Sequence, residues 1–529
     1  MSKRLIIFLI IFLFFNATGF AFTKEMKSGE FMVLAYHAIP EKARPGDKYS
    51  VPQQDFIEQI EYLRTHYYHP VSLDDILKAS EGKKSLPKNP VLLVFDDAYI
   101  SYYEFVVPIL EKFGYPSVLG VVGSFIDHPP KGLTETLMSW EQIREVAAKE
   151  LVDVVSHTYD LHKAIQYNPP GNVGPAIAIR AYDPETKSYE TEQAYRTRIE
   201  ADFAAQKELF KKHLGTIPRA VIWPFGRYNA ISWEIAQAAG YRIAFKAGDR
   251  GLAYLDRLNA VNRLMIEKQP IEDFIIEITN PDVDKTITRA VQVDLDLIYD
   301  PESYEKTDKN LGKLIDRLVE MKVNTVFLQA FADPEGTGNI ESVYFHNRVL
   351  PVRADIFSHA AHQMIIREIY VYAWLPTLSI VLPDKRLNEK LRVLEKAGDT
   401  VRPSKSWYQR LTPFSSDVRK LIRNLYEDLA AHSQIHGILF QDDAYLTDYE
   451  DYHPSAVAHY KDRFGEDFLS ADLEENSELA MRWARYKTEV LIDLTRHLMT
   501  GVKKYRPVAK FARNIYAPLL LHTTSTITH

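Results

Sequence analysis

Cysteine is absent from this chain of 529 residues. Its absence excludes disulfides, thiolate zinc sites, cysteine nucleophiles and a lipidated N-terminal cysteine, so we expect the protein not to be a lipoprotein. An excess of basic residues is also lacking, because 64 Lys and Arg stand against 71 Asp and Glu and give a formal net charge of −7. That balance argues against nucleic acid as a partner, since nucleic-acid binders normally carry a basic stripe.

The N-terminus lacks an apolar run long enough to cross a membrane comfortably. Leu5–Phe15 is unbroken but has only 11 residues, whereas a spanning helix needs about 20. A basic start at Lys3 and Arg4 precedes it, and small residues follow it up to Ala21. The pattern predicts a signal peptide over residues 1–21 and a periplasmic or secreted protein, with an uncleaved anchor as the alternative.

Hydrophobic residues make up 46% of the chain and charged residues 26%, a globular composition whose length predicts two large domains. From residue 31 to about 270, short apolar strands alternate with helical patterns, which predicts βα units and a largely parallel sheet. The polar stretch Pro169–Tyr189 is expected to be a surface excursion. The predicted strands are Phe31–Tyr36, Val91–Phe95, Ser117–Val122, Val152–Val155, Ala220–Ile222 and Arg242–Phe245, and two of the predicted helices are Gln54–His66 and Ile231–Ala239.

A second series of βα units begins near residue 289. It holds five strand candidates, whereas a closed (β/α)8 barrel needs eight, so this barrel is expected to be incomplete. The predicted strands are Ala290–Leu295, Thr325–Gln329, Glu368–Leu375, Gly437–Gln441 and Lys510–Ile515. The predicted segments of the chain are a first domain over 28–270, a linker over 271–288, a second domain over 289–517 and a frayed tail over 518–529.

Two adjacent acids, Asp96 and Asp97, follow the apolar strand Val91–Phe95. Ligands of parallel α/β sheets bind beyond the carboxyl ends of the strands, so charges at this place are candidates for chemistry. An acid pair alone is weak evidence, because caps and solvated turns show the same pattern.

Two histidines, His157 and His162, follow another predicted strand, Val152–Val155. Their spacing is not the i,i+4 spacing of two ligands on one helix face, so we expect His157 in a loop and His162 on a first helical turn. One carboxylate and two imidazoles can bind a divalent metal and leave positions open for water and substrate. The alternative is a pair of histidines at the edge of the core.

Two further segments end predicted strands. Trp223-Pro224-Phe225-Gly226 follows Ala220–Ile222, and there Pro fixes the chain while Gly lets the backbone approach a ligand closely. The first strand ends in Tyr36, which His37 follows. His37 is either a structural histidine or another member of the site.

Taken in order, these segments resemble the motifs of the NodB-type polysaccharide deacetylases. The start at Tyr36 and His37 and several segments of the second series narrow the resemblance to the two-domain poly-β-1,6-N-acetyl-D-glucosamine N-deacetylases (PgaB/HmsF type), over roughly residues 28–517. The segments that carry it are Phe95–Asp97, Ser156–His162, Trp223–Gly226, Val293–Asp296, Leu328–Pro334, Tyr372–Pro376 and Gly437–Ala444.

The resemblance implies an α/β fold, with an irregular (β/α) barrel deacetylase domain followed by an apparently truncated (β/α)8-type barrel domain. It also implies that Asp97, His157 and His162 hold a divalent metal, for which Zn, Ni, Co and Fe are all candidates. Such an ion lowers the pKa of bound water from 15.7 toward about 7 and polarises the carbonyl. Asp96 is implied as the general base that takes the proton of the water.

The proton donor to the leaving amine is implied to be His37. Many NodB-type enzymes take this acid from a Leu-x-His motif late in the domain, but here no His occurs between Phe225 and Thr288. The backbone N–H of Phe225 is the candidate oxyanion donor, with Trp223 beside it at the substrate.

In the second domain the resemblance implies a glycan site at the strand ends, which binds the partly deacetylated polymer and in some relatives cleaves it. Its candidate residues are Asp442, Asp443, Asp448, Trp374 and Asp296, with Asp294 as a weaker one.

The implied function is metal-dependent deacetylation of exported poly-β-1,6-N-acetyl-D-glucosamine in support of biofilm polysaccharide export. The protein is expected to be a monomer that works with an outer-membrane export porin. Two alternatives remain open: a deacetylase of peptidoglycan or chitin oligomers, and a non-catalytic glycan-binding export protein. The intact acids and histidines favour an enzyme in the first domain, whereas binding is the leading expectation for the second.

Overall fold

The structure is a computed structural model that describes residues 25–42, 46–133, 135–248, 251–282, 286–465 and 478–515. The predicted signal peptide (1–21) and tail (518–529) lie outside these residues. The chain divides into two compact units, and the division differs from the predicted domains because residues 161–201 and 227–238 belong to the second unit. Unit one draws on Met1–Asp160, Asp202–Gly226 and Ala239–Lys285, and unit two on Leu161–Ala201, Arg227–Ala238 and Thr286–His529.

A ten-stranded sheet forms the frame of unit one. Its strands are β1 Glu30–Tyr36, β2 His69–Pro70, β3 Pro90–Phe95, β4 Ser117–Val121, β5 Val152–Ser156, β6 Ala220–Ile222, β7 Ile243–Lys246, β8 Ala253–Tyr254, β9 Val261–Asn262 and β10 Leu264–Met265. The order is β8-β1-β3-β4-β5-β6-β7-β9, with β10 on β1 and β2 on β3, and every pair except β1 with β8 is parallel. Because only Arg263 separates β9 from β10, the chain there joins the two ends of the sheet into a nearly closed barrel.

Strand β1 shows why apolar runs in the sequence predict the strands of unit one. Its side chains alternate between two apolar clusters, with Met32 and Leu34 in one and Phe31 and Val33 in the other. A parallel strand that is covered on both faces is a continuous apolar run rather than an alternating one. All six strands predicted for the first series are confirmed, with ends that differ by one residue at most.

Helices connect the strands of unit one. One of them begins with a capping box, in which the side chains of Ser72 and Asp75 each accept a hydrogen bond from the backbone N–H of the other. Phe274 and Ile278 are buried in the apolar core, so this part of the predicted linker packs onto unit one. The helices are Gln53–Thr65, Leu73–Ser80, Val107–Phe113, Gly123–Asp127, Trp140–Ala147, Ile271–Thr279 and, from residue 202 onward, Glu192–Leu214.

Unit two is built on a parallel sheet of five strands, which follow one another in chain order. The strands are β11 Ala290–Val293, β12 Thr325–Gln329, β13 Tyr370–Leu375, β14 Gly437–Phe440 and β15 Lys510–Arg513, and the helices between them include Tyr304–Glu320, Phe357–Ile365, Lys385–Leu391, Ser416–His432, Pro454–Phe464 and Glu478–Tyr505. This order is typical of a (β/α) barrel, of which the described residues supply five strands out of eight. The predicted fold class is therefore confirmed.

Two local predictions are wrong. Pro169–Tyr189 is not simply a surface excursion, because its apolar centre, residues 176–179, is buried. His162 does not start a helix, because it lies in a bend just before a hairpin strand. The hairpins here pair Ala164–Gln166 with Val173–Pro175 and Tyr182–Asp183 with Ser188–Tyr189. No helix of the described residues combines the length and hydrophobicity needed to cross a membrane.

Candidate active site

The carboxyl ends of four parallel strands of one sheet bring the predicted residues of unit one to one rim of the barrel. His37 follows β1, the acids Asp96 and Asp97 follow β3, His157 follows β5 and Trp223 follows β6. Parallel strands share their direction, so the residues that follow them meet at the same edge.

Three of the residues predicted from the sequence form a metal-binding arrangement. Asp97, His157 and His162 each offer a ligand atom, and these atoms all lie within 4.8 Å of one another. His157 Nε2 is 3.6 Å from Asp97 Oδ1. One carboxylate and two imidazoles at this spacing fit a divalent ion with open coordination positions.

A backbone carbonyl orients the ring of His157. His157 Nδ1 lies 2.8 Å from the carbonyl oxygen of Ile222, at the end of β6. A carbonyl oxygen only accepts, so Nδ1 carries the hydrogen and Nε2 keeps its lone pair on the side of Asp97. Such a bond from the second ring nitrogen is the usual support of a histidine ligand.

The backbone at this rim adopts unusual angles. Asp97, Thr158 and Phe225 have φ of 70°, 71° and 56°, in the left-handed region that non-glycine residues rarely adopt. Each such residue costs free energy and persists only where its surroundings hold it, which is common at functional sites. The residue types at these three positions do not by themselves predict a left-handed backbone.

Asp96 is paired with an arginine that the sequence analysis missed. Arg263 Nη1 lies 2.8 Å from both carboxylate oxygens of Asp96, and Arg263 is only 3% exposed. Burial by itself raises the pKa of Asp96, but the charges of Arg263, His157 and His37 outweigh it and lower the pKa to about 2. Asp96 is therefore a carboxylate throughout the physiological pH range. A lone arginine between the short apolar strands β9 and β10 was the available signal.

His37 lies on the other side of Asp96. Its Nε2 is 3.9 Å from Asp96 Oδ2, and its side chain is 19% exposed. The ring lies against that of Tyr49, with 5.1 Å between centroids. Within the described residues, Nδ1 of His37 has no hydrogen-bond partner. A partly exposed imidazole beside the acid pair can exchange protons with a bound substrate.

Tyr99 is a second residue that the sequence analysis missed. It forms a side-chain hydrogen bond with Asp97, and burial together with the charge of Asp97 raises the pKa of its hydroxyl, which therefore stays protonated as a donor. It follows the acid pair by two residues in the same turn, but a tyrosine there carries no specific signal.

The two aromatic residues of the segment after β6 differ in their exposure to solvent. Phe225 exposes 51% of its surface, whereas Trp223 is completely buried and packs edge-on against Phe203. The side chain of Trp223 therefore packs inside the fold, and its contact with the substrate stays a prediction. Gly226 has φ 65°, and a Cβ there would come within 2.7 Å of the backbone of Ala247, so the turn requires glycine.

In unit two the predicted acids separate into two kinds. Asp442 is half-buried and accepts a hydrogen bond from Tyr408 at 2.8 Å. Asp443 is fully buried, and its oxygens accept from the backbone N–H groups of Thr377, Leu378 and Ser379. Asp443 therefore ties two loops together, and its role as a glycan contact stays a prediction.

A further acidic group lies at the ends of β11 and β12. Asp296 accepts from Gln329, from the backbone of Asp333 and from the hydroxyl of Tyr344. Burial and the charges of Asp296 and Asp333 raise the pKa of Asp294. The group carries negative charge that suits a cationic ligand. Two other predicted residues are Asp448, which is exposed in a loop, and Trp374, whose ring packs edge-on against Phe331.

Two models of known protein families match different parts of the chain. The family model described as polysaccharide deacetylase matches residues 83–244, and the model described as hypothetical glycosyl hydrolase family 13 matches residues 292–529. The barrel with its rim of acids and histidines, followed by a glycoside-hydrolase-like part, defines the class: the chain is a polysaccharide N-deacetylase.

Full-length relatives narrow this class. The chain is 38% identical to the poly-β-1,6-N-acetyl-D-glucosamine N-deacetylase of Escherichia coli O157:H7, over 92% of this chain and 73% of that one. It is 37% identical, with the same coverage, to the protein of that name from Escherichia coli strain K12. It also resembles the solved PgaB (BpsB) glycoside hydrolase domain of Bordetella bronchiseptica, with 41% identity, a TM-score of 0.41, and coverage of 44% of this chain and 66% of that one. The chain belongs to the poly-β-1,6-N-acetyl-D-glucosamine N-deacetylase family.

Proposed function

We propose that the chain hydrolyses the N-acetyl groups of exported poly-β-1,6-N-acetyl-D-glucosamine at the rim of unit one, with a divalent ion held by Asp97, His157 and His162. The observation that carries this proposal is the set of three ligand atoms within 4.8 Å of one another, beside the buried carboxylate of Asp96. We infer the substrate from the two Escherichia coli relatives, which are poly-β-1,6-N-acetyl-D-glucosamine N-deacetylases.

Bound there, a divalent ion lowers the pKa of water toward about 7 and polarises the amide carbonyl. Asp96, kept ionised by Arg263, accepts the proton of the attacking water. The backbone N–H of Phe225 donates to the oxygen that becomes negative in the tetrahedral state. His37 donates a proton to the leaving amine, so that water and amide become acetate and a free glucosamine amine.

Asp96 and His37 suit opposite parts of this reaction. The charge of Arg263 lowers the pKa of Asp96, so the carboxylate is ionised before the reaction and readily releases a proton that it has accepted. His37 carries a partly exposed imidazole, which can donate a proton to a bound group. The separation of 3.9 Å between Asp96 Oδ2 and His37 Nε2 supports roles for both side chains at one bound group.

For unit two we propose binding of the deacetylated product. The acidic group at Asp294, Asp296 and Asp333 attracts the cationic amines that deacetylation creates. Asp442, half-buried and bonded to Tyr408, is a second contact. We propose that the protein acts in the periplasm or outside the cell as a monomer alongside an export porin, on the basis of residues 1–21 and the substrate.

The test compares acetate release from β-1,6-linked and β-1,4-linked N-acetylglucosamine oligomers by the purified chain and by Asp96→Asn. The proposal is supported if the wild-type chain releases acetate from the β-1,6 oligomers and Asp96→Asn does not. A preference for the β-1,4 oligomers would move the assignment to chitin or peptidoglycan deacetylation. Activity retained in Asp96→Asn would contradict the role of that carboxylate.

A further inference from the structure

The two histidine ligands lie at the ends of a loop with no regular secondary structure. Residues 157–162 form neither helix nor strand, and Thr158 within them has φ 71°. A loop of this kind does not hold two imidazoles in one geometry by itself, because its backbone groups lack the bonds of a helix or sheet. Its shape therefore depends on the groups that bond to it.

Asp202 bonds to the middle of this loop with both carboxylate oxygens. Oδ1 accepts from the backbone N–H of Tyr159 at 3.0 Å, and Oδ2 accepts from that of Asp160 at 2.7 Å. Asp202 is 7% exposed. Bonds from N–H groups to an ionised, buried carboxylate are short and strong, and two of them on consecutive residues fix the direction of the chain.

The opposite side of the loop is held by backbone. Gly123 and Ser124 donate their N–H groups to the carbonyl oxygens of Thr158 and Tyr159, at 3.1 Å and 2.9 Å. The loop is thus bonded from two sides. The side chain of Asp202, which bonds to two consecutive backbone N–H groups, is a part of this support that a substitution can remove without touching the loop itself.

The helix that carries Asp202 also contacts the segment whose backbone bonds to the other side of the loop. Gln206, one turn along the helix, donates to the carbonyl oxygen of Val121 at 2.9 Å. A Cβ on Gly123 would lie 2.2 Å from Oε1 of Gln206, so helix and loop support are in close contact. Asp202 is therefore held at a fixed place, from which it can fix the loop.

We infer that Asp202 is a positioning residue for the metal site: it sets the loop so that His157 and His162 present their ring nitrogens together with Asp97. The inference rests on the metal site of the proposed function. Groups that orient ligands in this way typically contribute 10- to 100-fold to metal affinity. Asp202 is not one of the three candidate ligands, so its loss should weaken metal binding and leave the chemistry of the loaded enzyme nearly intact.

The test is the affinity of the apo-protein for Zn2+, measured by competition with a chromogenic chelator in the absence of any glycan. Asp202→Asn keeps the size of the side chain but turns an NH2 group toward one of the two N–H donors. We expect its Kd for Zn2+ to rise about 10- to 100-fold, with kcat recovered at saturating Zn2+. Glu200→Gln, an exposed acid on the same helix, should leave the Kd unchanged.

Each outcome decides the inference. An unchanged Kd in Asp202→Asn, with its thermal unfolding lowered or not, would overturn it, because a merely structural role moves the unfolding temperature alone. If Asp202→Asn does not fold, Asp202→Glu, which keeps the charge but shifts it by one methylene, replaces it under the same criterion. Failure of the wild-type chain to bind Zn2+ would instead overturn the metal site of the proposed function.

Discussion

Arg263 Nη1 lies 2.8 Å from each carboxylate oxygen of Asp96, although 167 positions separate the two residues in the chain. Arg263 is also the residue between β9 and β10, where the barrel of unit one comes nearest to closing. The residue at which the barrel comes nearest to closing therefore also keeps the proposed general base ionised.

Replacing this arginine should destabilise unit one strongly. Arg263→Met leaves the buried carboxylate of Asp96 without its partner, and we expect the free energy of unfolding to fall by about 3–5 kcal/mol. The matched control is Arg219→Met, because Arg219 pairs with Asp74 and Asp153 but is 41% exposed. There we expect a loss of about 1 kcal/mol or less. Equal losses in urea unfolding of the two variants would contradict the account.

The same ion pair predicts a pH dependence of stability. The pKa of Asp96 is about 2 in the folded chain and about 3.9 when unfolded. A lowered pKa contributes stability that is complete above the unfolded value and is lost as the pH falls from about 4 to about 2. For the metal-free protein we expect the difference in unfolding free energy between wild type and Asp96→Asn to shrink by about 2 kcal/mol over that window. A constant difference would show that the ion pair does not lower this pKa.

His37 and His157 should fail in different ways. His37→Gln removes the proposed proton donor but none of the three ligand atoms, so we expect kcat to fall by about 10²- to 10⁴-fold with the bound metal retained. His157→Gln should lose the metal together with the activity. Measuring metal content and acetate release on the same samples separates the two. Loss of metal in His37→Gln would place His37 among the ligands instead.

The adjacent acids of unit two provide a matched pair. Asp443→Asn weakens three backbone N–H bonds in a buried place, and we expect a loss of about 1–3 kcal/mol in unfolding free energy. Asp442→Asn should change stability little but weaken binding of β-1,6-glucosamine oligomers, measured by calorimetry. Unaltered oligomer binding in Asp442→Asn would remove that residue from the proposed glycan site.

Strands such as β1, β3 and β4 could be predicted because each is an apolar run that is buried in the folded chain. The ligand set could be predicted because acids and histidines stand directly after such runs, where parallel strands share an edge. Resemblance to a family added the roles, which spacing alone left open.

The remaining parts of the site depend on contacts between distant segments. Arg263 and Asp202 reach the site from positions far along the chain, and no local pattern marks either of them. The assignment of His162 to a helix was wrong because the local sequence does not show the hairpin that follows it, in which Ala164–Gln166 pairs with Val173–Pro175. The left-handed backbone of Asp97 and Thr158 is likewise imposed by its surroundings, since neither residue is glycine.

The measurement that tests the central claim most directly is acetate release from β-1,6-N-acetylglucosamine oligomers before chelation, after chelation and after return of Zn2+, Co2+ or Ni2+. The account predicts that chelation abolishes release and that at least one of these ions restores it, with none restored in His157→Gln. Full release by a chelated protein shown to be free of metal would contradict it. So would the absence of release from a folded protein that holds the ion.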